Sequence, residues 1–144
     1  MYYYGYEEFQ KDVVKLVHCI QKDFKPDVLV AVARGGMSLG HCLALALNTR
    51  LLFSINSIHY EDTQKLNSIE IFNIPELGKY KNILLIDDIV DSGESLDAII
   101  KVLKGKFPHL HIKTATLFYK KTALLIPDFK IKEAQEWIRF PWEI

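Results

Sequence analysis

Residues 83–95 read ILLIDDIVDSGES. Ile83, Leu84, Leu85 and Ile86 are apolar on both parities, which suits a strand covered on both faces of a sheet. The strand runs directly into two acids, Asp87 and Asp88, and then into a loop of small residues that opens a helix over 95–103, with Leu96, Ile99, Ile100 and Leu103 on one face. Backbone N–H groups at the start of a helix have no intrahelical acceptor and stand at the positive end of the dipole. From Ser92 to Ser95 they form a site for a phosphate. Gly93 lets the backbone approach an anion closely, and the Ser92 and Ser95 hydroxyls can add hydrogen bonds. Asp87 and Asp88 stand at the carboxyl end of a strand, the edge of an open α/β sheet where ligands bind. Ionised carboxylates accept hydrogen bonds and hold divalent cations, so a ligand with vicinal hydroxyls, a Mg²⁺ ion and a terminal phosphate matches both halves of the segment.

Outward from this segment the order of elements is β-α-β repeated. An amphipathic helix is expected over 7–24 from the spacing of Phe9, Val13, Leu16, Val17, Ile20 and Phe24, with Glu7 and Glu8 in its first turn where the dipole favours acids. A buried strand follows at 28–33, ended sharply by Arg34-Gly35-Gly36. A buried helix then covers 37–47 and a strand 51–55. Residues 57–60 and 68–73 read as two short strands joined by the polar stretch 61–67, a hairpin flap. Further strands are expected at 113–119 and 129–132, with an aromatic tail over 137–142. The fold class is α/β: an open, mainly parallel sheet flanked by helices, in one domain over 1–144.

Composition fits one globular domain. The chain has 144 residues, 49% hydrophobic and 25% charged, with 18 basic against 18 acidic side chains. A balanced charge argues against a nucleic-acid surface while leaving room for a local positive pocket. Cys19 and Cys42 lie in apolar helical patterns without a CxxC pair and are expected to pack as small hydrophobes. Residues 1–10 lack the basic and apolar regions of a signal peptide, and no apolar run reaches the ~18 residues of a membrane span, so a cytoplasmic setting is expected. His109 and His111 are spaced like metal ligands, yet no other ligand cluster accompanies them.

Strands ending in two acids also occur as the metal site of receiver domains and as the acidic strand of nucleotide hydrolases, and a strand-end Asp is often a helix cap. This chain has no GxxxxGK[ST] loop, and a receiver would place its acid pair after the first strand, whereas here it follows the flap. The pattern of hydrophobic strand, two acids, two apolar residues and Asp-Ser-Gly-x-Ser resembles the phosphoribosyl pyrophosphate signature of type I phosphoribosyltransferases. The ARGG of residues 33–36 and the WIRFPWE of residues 137–143 are similar to the bacterial xanthine-guanine branch, so the resemblance spans nearly the whole chain.

The resemblance implies a fold, a reaction and a set of residues. The fold would carry a flap at about 57–75 and a hood at about 133–144. The reaction would be transfer of the 5-phosphoribosyl group from phosphoribosyl pyrophosphate to N9 of guanine, xanthine or hypoxanthine in purine salvage, with Mg²⁺ as cofactor. Asp87 and Asp88 would bind the ribose hydroxyls, with Asp88 at the metal. Ser92, Gly93, Glu94 and Ser95 would cradle the 5-phosphate, and Arg34, Gly35 and Gly36 would hold the pyrophosphate. Asp91, Asp88 and Arg34 would be catalytic, Asp91 by taking the proton at purine N7. Lys120 would donate to the purine 6-oxygen, with Lys121 the competing candidate, and an ammonium there would oppose the 6-amino group of adenine. Trp137 and Ile138 would cover the base, with Glu143 near its 2-substituent. Relatives commonly open the flap with Ser-Tyr, where this chain has His59-Tyr60. They form dimers and tetramers, so a homodimer or homotetramer is expected. A phosphoribosyltransferase for another base, or a non-catalytic nucleotide-binding regulator, would share the fold; the regulator would carry a further basic or DNA-binding element.

Overall fold

In the computed structural model, which describes residues 1–60 and 68–144, a five-stranded sheet lies between two layers of helix. Its strands are β2 (Val28–Ala33), β3 (Leu52–Tyr60), β4 (Ser68–Phe72), β5 (Asn82–Ile86) and β7 (His111–Ala115), in the order β4-β3-β2-β5-β7. All neighbours are parallel except β3 and β4. Alternation along the central strands builds two cores. Leu29, Leu84 and Ile86 face α1 (Tyr6–Asp23) and α2 (Met37–Ala46), while Val28, Val30, Val32, Ile83 and Leu85 face Leu96, Ile99 and Leu103 of α3 (Glu94–Lys106).

The order of strands fixes where a ligand can sit. The chain goes from β2 outward to β3 on one side, then crosses back to place β5 on the other. The direction of winding therefore reverses between β2 and β5, and the crevice beyond their carboxyl ends is the binding position of an open α/β sheet. The loops leaving those two strands carry Arg34-Gly35-Gly36 and Asp87-Asp88.

Several expected elements differ from those observed. The strands expected at 51–55 and 57–60 are one strand of nine residues, because Asn56 pairs with Ala33 on one side and with Phe72 on the other, leaving no break in the ladder. The polar turn expected over 61–67 lies outside the described residues. The strand expected at 113–119 is split at Thr116 and Leu117, since the amides of Leu117 and Phe118 both turn to the Asp88 carbonyl, each at 3.1 Å. A second, three-stranded parallel sheet then forms from β6 (Ile89–Val90), β8 (Phe118–Tyr119) and β9 (Lys132–Glu133). In place of a strand at 129–132, Phe129 makes a single bridge to Ala115 before β9 begins. Phe24 is buried just past the end of α1. Cys19, expected to be buried, is exposed on α1, and Cys42 is half-buried; both are free thiols.

The third sheet joins the two ends of the described chain. β1 (Tyr2–Tyr3) pairs in parallel with β10 (Ile138–Arg139). Beneath it the buried Tyr4 hydroxyl donates to Asp12 at 2.7 Å, Lys132 reaches the same carboxylate at 3.0 Å and also pairs with Glu8, and Tyr2 donates to Glu8 at 2.5 Å. Asp12 is 1% exposed, so its charge is held by Lys132 and the Tyr4 hydroxyl. His109 Nε2 lies 2.9 Å from the Tyr80 carbonyl, and the His111 ring packs edge-on against Phe24 at 5.5 Å.

Candidate active site

The two strand ends at the crevice touch. A Cβ added to Gly35 would stand 2.7 Å from the Asp88 carboxylate, and one added to Gly36 would stand 2.4 Å from the Ile86 carbonyl. Only glycine permits the β2 loop to lie this close to the β5 loop. Arg34 is exposed at the mouth, and the Ala33–Arg34 peptide bond is cis.

Asp87 and Asp88 occupy the centre. The Asp87 carboxylate accepts the Asp88 amide at 2.9 Å, and that of Asp88 accepts the Ile89 amide at 2.7 Å. Burial pushes the Asp87 carboxyl well above the usual carboxylate range, and the adjacent Asp88 charge adds to the effect. Burial also raises Asp88, with Glu143 contributing repulsion. A divalent cation at this pair would relieve both penalties, and an oxygen-only donor set of one or two carboxylates completed by substrate oxygens is what Mg²⁺ takes. The residues therefore fit the ion.

Gly93 begins α3 with φ +84°, in the left-handed region, and a Cβ there would lie 2.7 Å from the Leu125 amide. Asp97 makes the first bond of the helix, to the Gly93 carbonyl at 3.0 Å, so the amides of the first turn are left for other partners. One is used locally: the Ser92 hydroxyl accepts the Glu94 amide at 3.2 Å. The Glu94 side chain turns toward β3, its carboxylate 3.7 Å from His59 Nε2. Tyr60 donates to Glu70 across the β3–β4 ladder at 3.1 Å.

The register of the small sheet pairs the next two residues of interest. Ile89 lies beside Phe118 and Val90 beside Tyr119, so Asp91 and Lys120 come next, and their side chains meet at 2.6 Å. Lys121 points away to Glu133 at 3.3 Å. Between the two lysines named from sequence, only Lys120 enters the crevice.

Three cavities meet along this line. The first, about 430 Å³, is lined by Asp88, Asp91 and Lys120 on one wall and by Trp137, Ile138 and Glu143 on the other. The second, about 550 Å³, continues past Asp88 to Arg34 and Gly35. The third, about 200 Å³, runs from Asp91 to Ser92, Gly93, Ser95 and Asp87, with His59 at its edge. Trp137 is 70% exposed, its ring at the lip, and the Glu143 carboxylate accepts the Phe140 amide at 2.5 Å between the first two cavities. Sequence reasoning passed over Ile89, which lines the first and third cavities, and Phe140, which lines the first and second and stacks on Trp142 at 5.0 Å. Their signal lay inside motifs already quoted, where they read as apolar filler.

Comparison with known proteins gives a consistent picture. The phosphoribosyl transferase domain family matches residues 5–144. A xanthine-guanine phosphoribosyltransferase of Chromohalobacter salexigens is 29% identical over 145 residues, covering 97% of this chain and 82% of that protein. Among solved structures, a xanthine-guanine-hypoxanthine phosphoribosyltransferase of Helicobacter pylori is 43% identical, covers 99% of this chain and 94% of its own, and superposes with a TM-score of 0.93. A purine phosphoribosyltransferase of Pyrococcus horikoshii is 29% identical over 99% of this chain and 93% of its own, with a TM-score of 0.86.

Proposed function

The chain belongs to the phosphoribosyl transferase domain family, and on that premise we propose that it transfers the 5-phosphoribosyl group of phosphoribosyl pyrophosphate to N9 of a 6-oxopurine, releasing pyrophosphate, as a step of purine salvage. The observation that carries the base assignment is the Asp91–Lys120 pair at 2.6 Å. It presents an acceptor and a donor side by side. N7 and O6 of a 6-oxopurine are likewise neighbours on one edge, so a protonated N7 faces Asp91 while O6 faces Lys120. Adenine would set its amino donor against an ammonium that can only donate.

The three cavities accommodate the parts of the two substrates. The base lies in the first, between Ile138 with Trp137 and the Asp91–Lys120 wall. The 5-phosphate lies in the third on the amides after Gly93, and the pyrophosphate lies in the second against Arg34 and the amides of Gly35 and Gly36. The ribose spans Asp87 and Asp88, where all three meet. Asp88, with Asp87 beside it, would hold Mg²⁺, which would supply positive charge for the donor's oxygens. Arg34 stabilises the departing pyrophosphate as the C1–oxygen bond breaks. The N9 lone pair then forms the new C1–nitrogen bond, and the N7 proton passes to Asp91. The segments at about 57–75 and 133–144 serve as flap and hood.

The protein is further proposed to work in the cytoplasm as a homodimer or homotetramer. No helix of the described residues is long and apolar enough to cross a membrane. Leu45, Leu124 and Ile126 are apolar side chains left exposed for contact with another copy. Incubation with phosphoribosyl pyrophosphate, Mg²⁺ and each nucleobase in turn tests the reading through pyrophosphate release. Release with guanine, xanthine or hypoxanthine and not adenine is expected. Release only with a different base, or tight nucleotide binding with no release, would overturn it.

A further inference from the structure

His59 is the one ring that β3 presents to the phosphate cavity. Ile55, Ser57 and His59 share a face of that strand, Ile55 packs in the α3-side core, and His59 sits across the ladder from Ile69. This parity carries the imidazole over the first turn of α3, where it lines the same cavity as Ser92, Gly93 and Ser95. Its Nε2 lies 3.7 Å from the Glu94 carboxylate, beyond hydrogen-bond range. That nitrogen is therefore not hydrogen-bonded to Glu94. Glu94 itself, an acceptor carrying the same sign of charge, is a poor side-chain ligand for a phosphate, whereas an imidazole N–H donates whether the ring is neutral or charged.

We propose that His59 is a ligand of the 5-phosphate, donating its Nε2–H to a phosphate oxygen when the donor binds. This rests on the assignment of the third cavity to the 5-phosphate. It gives the β3–β4 hairpin a direct tie to the substrate and takes the Glu94 side chain out of the set that touches it.

The test uses the full chain with two variants, His59→Ala and His59→Gln, beside the parent. His59→Ala is expected to raise the KM for phosphoribosyl pyrophosphate about tenfold or more while leaving the KM for guanine within about twofold. In direct binding it should weaken guanosine 5′-monophosphate and leave inorganic pyrophosphate unchanged. His59→Gln, which keeps an N–H donor, should recover part of the loss. Weaker pyrophosphate binding with unchanged nucleotide binding in His59→Ala would overturn the proposal, as would equal KM values for all three proteins. A parent protein that binds neither nucleotide nor donor would instead overturn the assignment of the cavities, before His59 is in question.

Discussion

The sides of the crevice proposed above for the phosphate and for the base are built by opposite means. On the phosphate side, one unbroken stretch from Ile83 to Ser95 supplies strand, acids, turn and helix start, and the groups offered to a ligand are largely backbone amides fixed by helix geometry. On the base side, the wall of Trp137, Ile138 and Glu143 has no such local frame. It is held by pairing with Tyr2 and Tyr3, and β9, which leads into it, by the Tyr4–Asp12–Lys132 contacts. A backbone site survives as spacing in the sequence. A side-chain wall depends on residues from the far end of the chain.

The largest effect should come from the point the two sides share. Asp87→Asn with Asp88→Asn should lower pyrophosphate release by roughly a hundred- to a thousandfold, as loss of preorganised charge does elsewhere. The same acids work against the empty fold. Because burial raises the Asp87 carboxyl in the folded chain, its protonated form is the favoured one. That contribution is complete below the unfolded pKa and is lost as pH rises through the folded value. Asp87→Asn alone should therefore melt higher than the parent near neutral pH, and the gap should shrink as pH falls toward about 4. A variant that melts lower at neutral pH would refute the strain assigned to the pair.

Next in size, Gly36→Ala should cost about 1–3 kcal/mol in urea unfolding, because its Cβ would meet the Ile86 carbonyl and force the β2 and β5 loops apart. Lys120→Ala should raise the KM for 6-oxopurines about tenfold and relax exclusion of adenine, with little change in the donor KM, while Lys121→Ala should leave both alone. Smallest, Tyr4→Phe should cost about 1 kcal/mol of stability and shift the KM for the base a few-fold, not that for the donor. An effect of Tyr4→Phe on the donor KM alone would erase the distinction between the two sides.

How much of the molecule can be read from its residues follows the same division. The strand into Asp87, the glycines after Arg34 and the start of α3 were legible because the chemistry is local and periodic. Lys120 could not be separated from Lys121 by charge pattern. The two-residue strand β6 brings Lys120 rather than Lys121 to Asp91, and a strand that short has no periodicity to detect. Tyr2 to Tyr4 carried no readable role, since their partners Ile138, Arg139, Asp12 and Glu8 become neighbours only in the folded chain. Nor did alternation reveal that β3 runs unbroken past residue 56, which its two neighbouring strands determine.

The pairing of Tyr2–Tyr3 with Ile138–Arg139 has a temporal side. During synthesis α3 emerges before residues 115–124, whose amides and carbonyls hold the loop from Asp87 to Ser92, and the segment 138–139 emerges later still and pairs with residues made first. A nascent chain arrested just after α3 would thus be expected to leave the turn into that helix without the neighbours that fix its shape.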